Sequence, residues 1–298
     1  NTLKEPIPCI TILLLNRGGK FHREELLTSL RSIPFAETLF IEGPELTYDI
    51  EPLSKKFPDV RYLLLRQKIS AGEKINLGIS ESRTDLVFVL WSDMKIEQAF
   101  FTEDCVKRMN EKKLLCNVPI IKNTRQEIVP NILVPGLIRR DIKVVPWIPG
   151  NKKVQSIFPF DYCGIYNKKR FTHIGGYDSH IANPYWQKMD FGFRAFLWGE
   201  YIRLNPDLEL SYTHDVNAED ATPDRGYKIF YLKNIFVTCK KGRGFLPSYK
   251  FFHYLFHSDT GPIDSFKEFR IIQKWVEKNS ERFRIDAFTL VKSWEVPE

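Results

Sequence analysis

The chain has 298 residues, 43% of them hydrophobic and 27% charged, which fits one large domain with an appendage or two domains of ordinary size. That composition excludes a disordered chain, a collagen and a coiled coil, and the longest unbroken apolar runs, 12–15 and 86–91, are far too short to span a bilayer. Lys plus Arg at 44 against Asp plus Glu at 37 gives +7, a balance suited to nucleic acid, anionic lipid or a small phosphorylated ligand.

The first third alternates strand and helix patterns. Residues 9–15 are a β-branched and Leu-rich run, a buried strand. Residues 21–33 carry Phe21, Leu26, Leu27, Leu30 and Ile33 at helical spacing. A second strand at 38–41 is cut by Gly43-Pro44, and a third lies at 60–65. Residues 71–82 are helical, with Ile75 and Ile79 on one side. Residues 86–91 are nearly all apolar, so this strand is buried on both faces. The pattern predicts a parallel sheet covered by helices. Such sheets bind ligands at the carboxyl ends of their strands, which directs the search to Asn16-Arg17, Glu42 and Ser92-Asp93.

A helix at 100–112 and strands at 114–121 and 128–134 follow. The Pro-rich stretch 130–160 reads as loops between short strands, and 157–166 as a strand. Asn183 as N-cap and Pro184 at the first helical position open a helix that Trp198-Gly199 closes. On it Trp186, Asp190, Phe193 and Leu197 share a side, so Asp190 is a carboxylate on an apolar face, either paired or functional. Short strands at 201–204 and 208–213 lead to His214. Beyond Asp224 aromatic and basic residues interleave, and 264–278 form an amphipathic helix with Phe266, Phe269, Ile272, Trp275 and Val276 on its apolar side. This extension reads as a helical appendage, with a membrane-surface or acceptor-lipid contact as the functional alternative; nucleic acid is disfavoured because core-like aromatics dilute the charge. The five cysteines show no metal or redox spacing and read as reduced core thiols. With no leader pattern at the start, a cytoplasmic location is expected.

Several segments, taken in order, resemble family 2 glycosyltransferases. Ser70-Ala71-Gly72-Glu73-Lys74-Ile75-Asn76-Leu77-Gly78-Ile79 is similar to the turn and helix of that family's nucleotide-sugar half. The strand 86–91 ends in Trp91-Ser92-Asp93, where the family has Asp-x-Asp. Residues 160–164, then Ile174-Gly175-Gly176-Tyr177-Asp178, resemble the acceptor-side Gly-Gly-aromatic-Asp segment. Asp190-Phe191-Gly192-Phe193-Arg194 resembles the end of the catalytic-helix pattern, and Leu210-Ser211-Tyr212-Thr213-His214 the strand bringing in a late metal-binding His. The likeness runs over residues 8–215. The departures are specific. The first acid of Asp-x-Asp is Trp91, the family's Asp-Asp reads Ile41-Glu42, and its Glu-Asp pair reads Gln187-Lys188.

The resemblance implies an α/β glycosyltransferase A-type fold, a mostly parallel sheet flanked by helices, over 1–224 with a C-terminal helical extension over 225–298. It implies sugar transfer from a nucleotide-diphosphate donor, UDP-type, to a hydroxyl of a glycan or glycolipid, by inverting displacement. Mn2+ or Mg2+ held by Asp93 and His214 would stabilise the departing diphosphate, with Arg17 and Lys74 assisting or replacing it. Asn16, Glu42, Asn76, Gly175 and Gly176 complete the expected donor set. Asp190 is the first choice and Asp178 the second for accepting the acceptor's proton. Plainer readings stand beside these: an i, i+4 ion pair of Asp190 with Arg194, an ordinary surface or core His214, and a bare turn at Gly175-Gly176. A catalytically silent relative and a sugar nucleotidyltransferase are the competing functions; for the latter, Asn16-Arg17-Gly18-Gly19-Lys20 is a partial match to the loop it needs.

Overall fold

A computed structural model describes residues 9–17, 20–44, 50–97, 101–111, 114–138, 141–150, 154–215, 219–256 and 261–295. Gly18 and Gly19 of the first loop, and both ends of the expected helix 100–112, lie outside the described residues.

The strands are β1 (Ile10–Leu15), β2 (Ala36–Glu42), β3 (Arg61–Leu64), β4 (Leu86–Trp91), β5 (Met94–Ile96), β6 (Cys116–Lys122), β7 (Ile132–Ile138), β8 (Asp141–Trp147), β9 (Gly164–Asn167) and β10 (Ile202–Tyr212). An eight-stranded sheet runs in the order β3-β2-β1-β4-β9-β6-β10-β5. β9 and β5 run antiparallel to their neighbours; the other strands are parallel. β1 and β4 sit centrally, and their apolar runs are buried on both faces.

Helices α1 (Lys20–Leu30), α2 (Ile50–Lys56), α3 (Ala71–Glu81), α4 (Glu103–Glu111), α5 (Lys168–His173) and α6 (Pro184–Leu197) flank the sheet. α3 opens on a capping box, Ser70 with Glu73, and buries Ile75 and Ile79. α6 opens on Asn183, whose side chain accepts from the Tyr185 and Trp186 N–H groups. Two hydrophobic clusters result. One joins Ile12, Leu14 and Phe88 to α1 and α4; the other joins Leu13, Leu15 and Val87 to α3, α6 and the C-terminal segment.

Four expectations need correction. The strand expected at 157–166 is confined to β9, Gly164–Asn167, because a tight turn at Phe160–Tyr162 with left-handed Asp161 and Tyr162 interrupts it. The stretch read as loops contains a long hairpin, β7 with β8, because Pro135 and Pro146 fall in a two-stranded ribbon whose outer edges need no N–H donor. The separate strands at 201–204 and 208–213 are one strand, β10, whose register on β6 shifts between Leu204 and Glu209. Pro206, lacking an N–H, lies within that irregularity. The C-terminal segment is not wholly helical. Besides α7 (Arg225–Phe230), α8 (Lys250–Phe256), α9 (Pro262–Lys278) and α10 (Ala287–Lys292) it holds a hairpin of β11 (Thr238–Lys240) and β12 (Arg243–Phe245). α2, α5 and β5 are too short to carry a periodic signal and were not anticipated.

The C-terminal segment packs on α6 through rings. Trp275 stacks on Trp198 at 5.9 Å, Trp294 meets Phe196 at 4.8 Å, and Phe230 stacks on Trp186 at 5.9 Å. Its aromatics thus extend the core of the sheet domain. Among the described residues no helix is long and apolar enough to cross a membrane.

Candidate functional site

The parallel strands β1, β2, β4 and β10 end on one edge of the sheet, and their terminal polar groups meet there. Asn16, after β1, donates from Nδ2 to Glu42 Oε1 at 2.8 Å. Ser92, after β4, accepts the Arg17 N–H at 2.9 Å and donates to the Arg17 carbonyl at 2.5 Å. Thr213, after β10, donates from both N and Oγ1 to the Asp93 carbonyl, at 2.9 and 2.8 Å. These bonds lock the tips of four strands together and place His214 Nε2 3.1 Å from Asp93 Oδ2.

Arg17 is the hub. Its Nε and Nη2 donate to Asp93 Oδ2 and Oδ1 at 2.9 and 3.3 Å. Nη1 donates to Asp161 Oδ1 at 2.9 Å, and Nη2 lies 2.8 Å from Asp161 Oδ2. The guanidinium carbon stands 4.4 Å from the centre of the Trp91 ring. Burial works against the charge on Arg17, but Asp161 and Asp93 more than offset it and push its pKa higher still. The Tyr212 hydroxyl donates to Asp161 Oδ2 at 2.8 Å, and burial next to that carboxylate raises the phenol's pKa. Asp161 and Tyr162 both adopt left-handed backbone, φ 49° and 62°, at successive non-glycine residues. Strain of this kind persists only where the surroundings fix it. Here Arg17, Tyr212 and the Trp91 indole N–H, which donates to the Asp161 carbonyl at 2.9 Å, supply that restraint.

Arg17, Trp91, Asp161, Tyr212, His214 and Glu219 line a cavity of about 860 Å³. On its α6 side lies Lys188, 0% exposed, with its ammonium bonded to Glu219 and 4.9 Å from the Tyr162 ring centre. Burial pulls the Lys188 pKa down to about 8, with Asp161 partly opposing.

Asp93 is 0% exposed, and Arg17 and His214 cover it toward the cavity. Glu42, 1% exposed, accepts from Asn16, Arg23 and the Gly43 N–H. It anchors the network rather than facing the cavity. Lys74 lines neither this cavity nor a second one of about 880 Å³ between the sheet domain and α9.

The remaining expected residues belong to that second region. Asn76 clamps a turn: its Nδ2 donates to the Tyr177 carbonyl at 2.8 Å and its Oδ1 accepts the Tyr177 N–H at 2.9 Å. Gly176, at φ +65°, lies under this clamp, and a Cβ there would fall 2.5 Å from Asn76 Oδ1. Gly175 precedes it at φ +85°. Asp178 pairs with Lys233 at 2.7 Å. Burial opposes its charge, yet that ammonium holds the carboxyl well below the usual carboxylate range. Asp190 is 0% exposed and lines neither cavity. It accepts from Arg194 at 2.8 Å and Asn234 at 2.8 Å, with Lys233 at 3.4 Å. The plain ion-pair reading of Asp190 is therefore what the geometry displays, extended to fasten the C-terminal segment.

Sequence reasoning missed Asp161, Tyr212 as its partner, and Glu219. Asp161 had one faint signal, an Asp-Tyr pair inside an apolar run, since Asp tolerates left-handed backbone. Glu219 lies in a polar loop with no pattern.

A divalent ion at Asp93 and His214 would find two ligands at the right spacing, since 3.1 Å is the separation of neighbouring ligands at about 2.1–2.2 Å from an octahedral ion. The second acid, Asp161, stands on the far side of Arg17, and the guanidinium already takes both Asp93 oxygens. Among the described residues no group of three or more His, Cys, Asp or Glu side chains is arranged to hold a metal. With Arg17 in place the residues do not fit a resident ion.

No family model and no curated protein matches the chain. Solved structures do. GalNAc-T7, crystallised with UDP, GalNAc and Mn2+, superposes on 99% of this chain and 59% of its own, with a TM-score of 0.64 at 12% identity. TarS from S. aureus matches 95% of this chain and 45% of its own, at TM-score 0.54 and 12% identity. TarS 1-349 in complex with UDP-GlcNAc matches 88% of this chain and 71% of its own, at TM-score 0.55 and 11% identity. The chain thus spans about three fifths of the first of these proteins and under half of the second. At such identities the likeness is one of fold, and the fold is glycosyltransferase A-type, as the sequence resemblance implied.

Proposed function

We propose that this protein is a glycosyltransferase that moves a sugar from a nucleotide-diphosphate donor, UDP-type, to a hydroxyl of a glycan or glycolipid. The single observation behind this reading is that side chains from three strand tips and the 160–162 turn meet at one 860 Å³ cavity on the carboxyl edge of the sheet. That volume suits a nucleotide-sized ligand.

The acceptor oxygen forms a bond to the anomeric carbon as the carbon–phosphate oxygen bond breaks, and the nucleoside diphosphate departs. Direct displacement inverts the anomeric centre. The hydroxyl proton needs a carboxylate that faces the cavity. Asp190 and Asp178 do not line it. Glu219 does, fixed by Lys188 from within α6, and we assign it this role. Arg17 supplies positive charge at the diphosphate end. The Mn2+ or Mg2+ implied by the resemblance would need Asp93 and His214, but Arg17 already takes both Asp93 oxygens, and no step here runs through an ion. In this reading residues 225–298 form an extension that buttresses α6. Phe252 and Phe266 beside Phe251, and Phe256 at 83% exposure, leave an apolar patch on α8 and α9 next to Lys250 and Lys267. This patch supports a lipid-linked acceptor or peripheral membrane contact.

A melting-temperature panel of nucleoside diphosphates tests the reading, because a ligand of the native state raises the melting point. A rise with UDP, followed by donor hydrolysis, is the expected result; no shift with any nucleotide defeats it. Catalytic silence is the second reading, favoured by Lys188 at the position where the family carries its acid. Nucleotide binding without turnover of any donor would select it.

A further inference from the structure

The site carries its own cation. We propose that Arg17 is the resident cation among Asp93, Asp161 and His214, keeping divalent ions out, so that a nucleoside diphosphate binds here without one. The nucleotide half of this proposal rests on the function proposed above; the exclusion of divalent ions does not.

The geometry carries it. Three guanidinium N–H groups donate to the two carboxylates, at 2.9 and 3.3 Å to Asp93 and at 2.9 Å to Asp161, and Nη2 also lies 2.8 Å from Asp161 Oδ2. A planar guanidinium matches two flanking carboxylates as a point-like ammonium cannot. The Tyr212 hydroxyl takes a further lone pair of Asp161, and His214 stands 3.1 Å from Asp93 Oδ2, the oxygen that Arg17 Nε reaches at 2.9 Å. A divalent ion would have to break these bonds to gain its oxygens. It would also meet a formal charge of −1 rather than −2, because Arg17 offsets one of the two acids. Loss of one partner from a buried ion pair is strongly destabilising, so the guanidinium is held in place. The indole of Trp91, standing where the family has an acid, adds a face for the cation 4.4 Å away. The guanidinium lines the cavity with 27% of its side chain exposed and one Nη1 N–H outside these bonds. That N–H is a charge-assisted donor for a phosphate oxygen.

The test measures Mn2+ uptake by electron paramagnetic resonance and UDP binding by calorimetry, on the whole chain. Wild-type protein is expected to leave the free Mn2+ signal unchanged and to bind UDP equally with EDTA or Mn2+. Arg17→Met removes the charge and keeps most of the bulk. It is expected to take up Mn2+, to lose that uptake when Asp93→Asn is added, and to bind UDP at least tenfold more weakly in EDTA. Arg17→Lys keeps a cation and should still exclude Mn2+, which guards against a misfolded Met variant. Stoichiometric Mn2+ uptake by the wild type, loss of its UDP binding in EDTA, or no Mn2+ uptake by a folded Arg17→Met would each overturn the proposal. If no variant binds UDP under any condition, the nucleotide reading falls, and Mn2+ uptake alone decides the role of Arg17.

Discussion

Asp190→Asn separates a structural carboxylate from a catalytic one. Asp190 is 0% exposed; its partners Arg194 and Lys233 are 3% and 5% exposed. Together with Asp178 these four groups sum to zero charge. The substitution leaves one buried positive charge without compensation. It also turns an amide N–H₂ toward the Arg194 or Lys233 donors, where an oxygen stood. Removing one partner of a buried ion pair costs about 3–5 kcal/mol, a large part of the ~5–15 kcal/mol that holds a typical domain together. At about 2–4 °C per kcal/mol the melting point should fall by roughly 10 °C. Urea unfolding with an unchanged slope gives the free-energy difference directly. UDP affinity of the folded fraction should hold. A second substitution, Arg194→Met, should recover part of the loss, since apolar replacement of a buried pair is often near neutral. A variant as stable as the wild type but with turnover abolished would refute this reasoning and return Asp190 to the active site.

Four other substitutions probe the remaining assignments. Gly176→Ala should cost about 1–2 kcal/mol for its backbone and ~1–3 kcal/mol more for pushing Asn76 off Tyr177, whereas Gly175→Ala, whose Cβ meets its nearest atom at 3.7 Å, should cost only the first part; equal losses by denaturation would discard the Asn76 clamp. Glu219→Gln should lower turnover by about 10²–10⁴-fold with UDP affinity within a few-fold; equal loss of both would make Glu219 a binding group. Lys188 has a folded pKa of about 8 against 10.5 in the free side chain, so between these values the unfolded chain holds the extra proton and stability rises with pH. Relative to Lys188→Met, the wild type should therefore gain about 3 kcal/mol between pH ~8 and ~10.5, and a flat difference across that window in unfolding titrations would remove the depressed ammonium.

Much of the framework was legible in residue order. The strand at 86–91, the helix capped by Asn183-Pro184 and the helix after Ser70 were read close to their observed bounds, because each carries a period or a cap within its own residues. The rule that ligands gather at carboxyl ends of parallel strands singles out Asn16, Arg17 and Asp93 from residue order alone. Roles were less legible than positions. Asp190 on an apolar face was correctly seen as paired or functional, but its partners Lys233 and Asn234 lie more than 40 residues away. No local pattern announces them.

The sequence by itself determined the alternating strands and helices, the carboxyl edge of the sheet as the place to look for a site, and where the resembled metal motif lacks its acids, since all three depend on short-range spacing and residue type. Only the tertiary structure decided that Arg17 sits between Asp93 and Asp161, that Glu219 reaches Lys188, and that Asn76 clamps a turn away from the cavity. Each is a contact between segments brought together by sheet order and helix packing. Electrostatic strength there is set by burial and by ångström-scale distances, and neither is written in the spacing of residues along the chain.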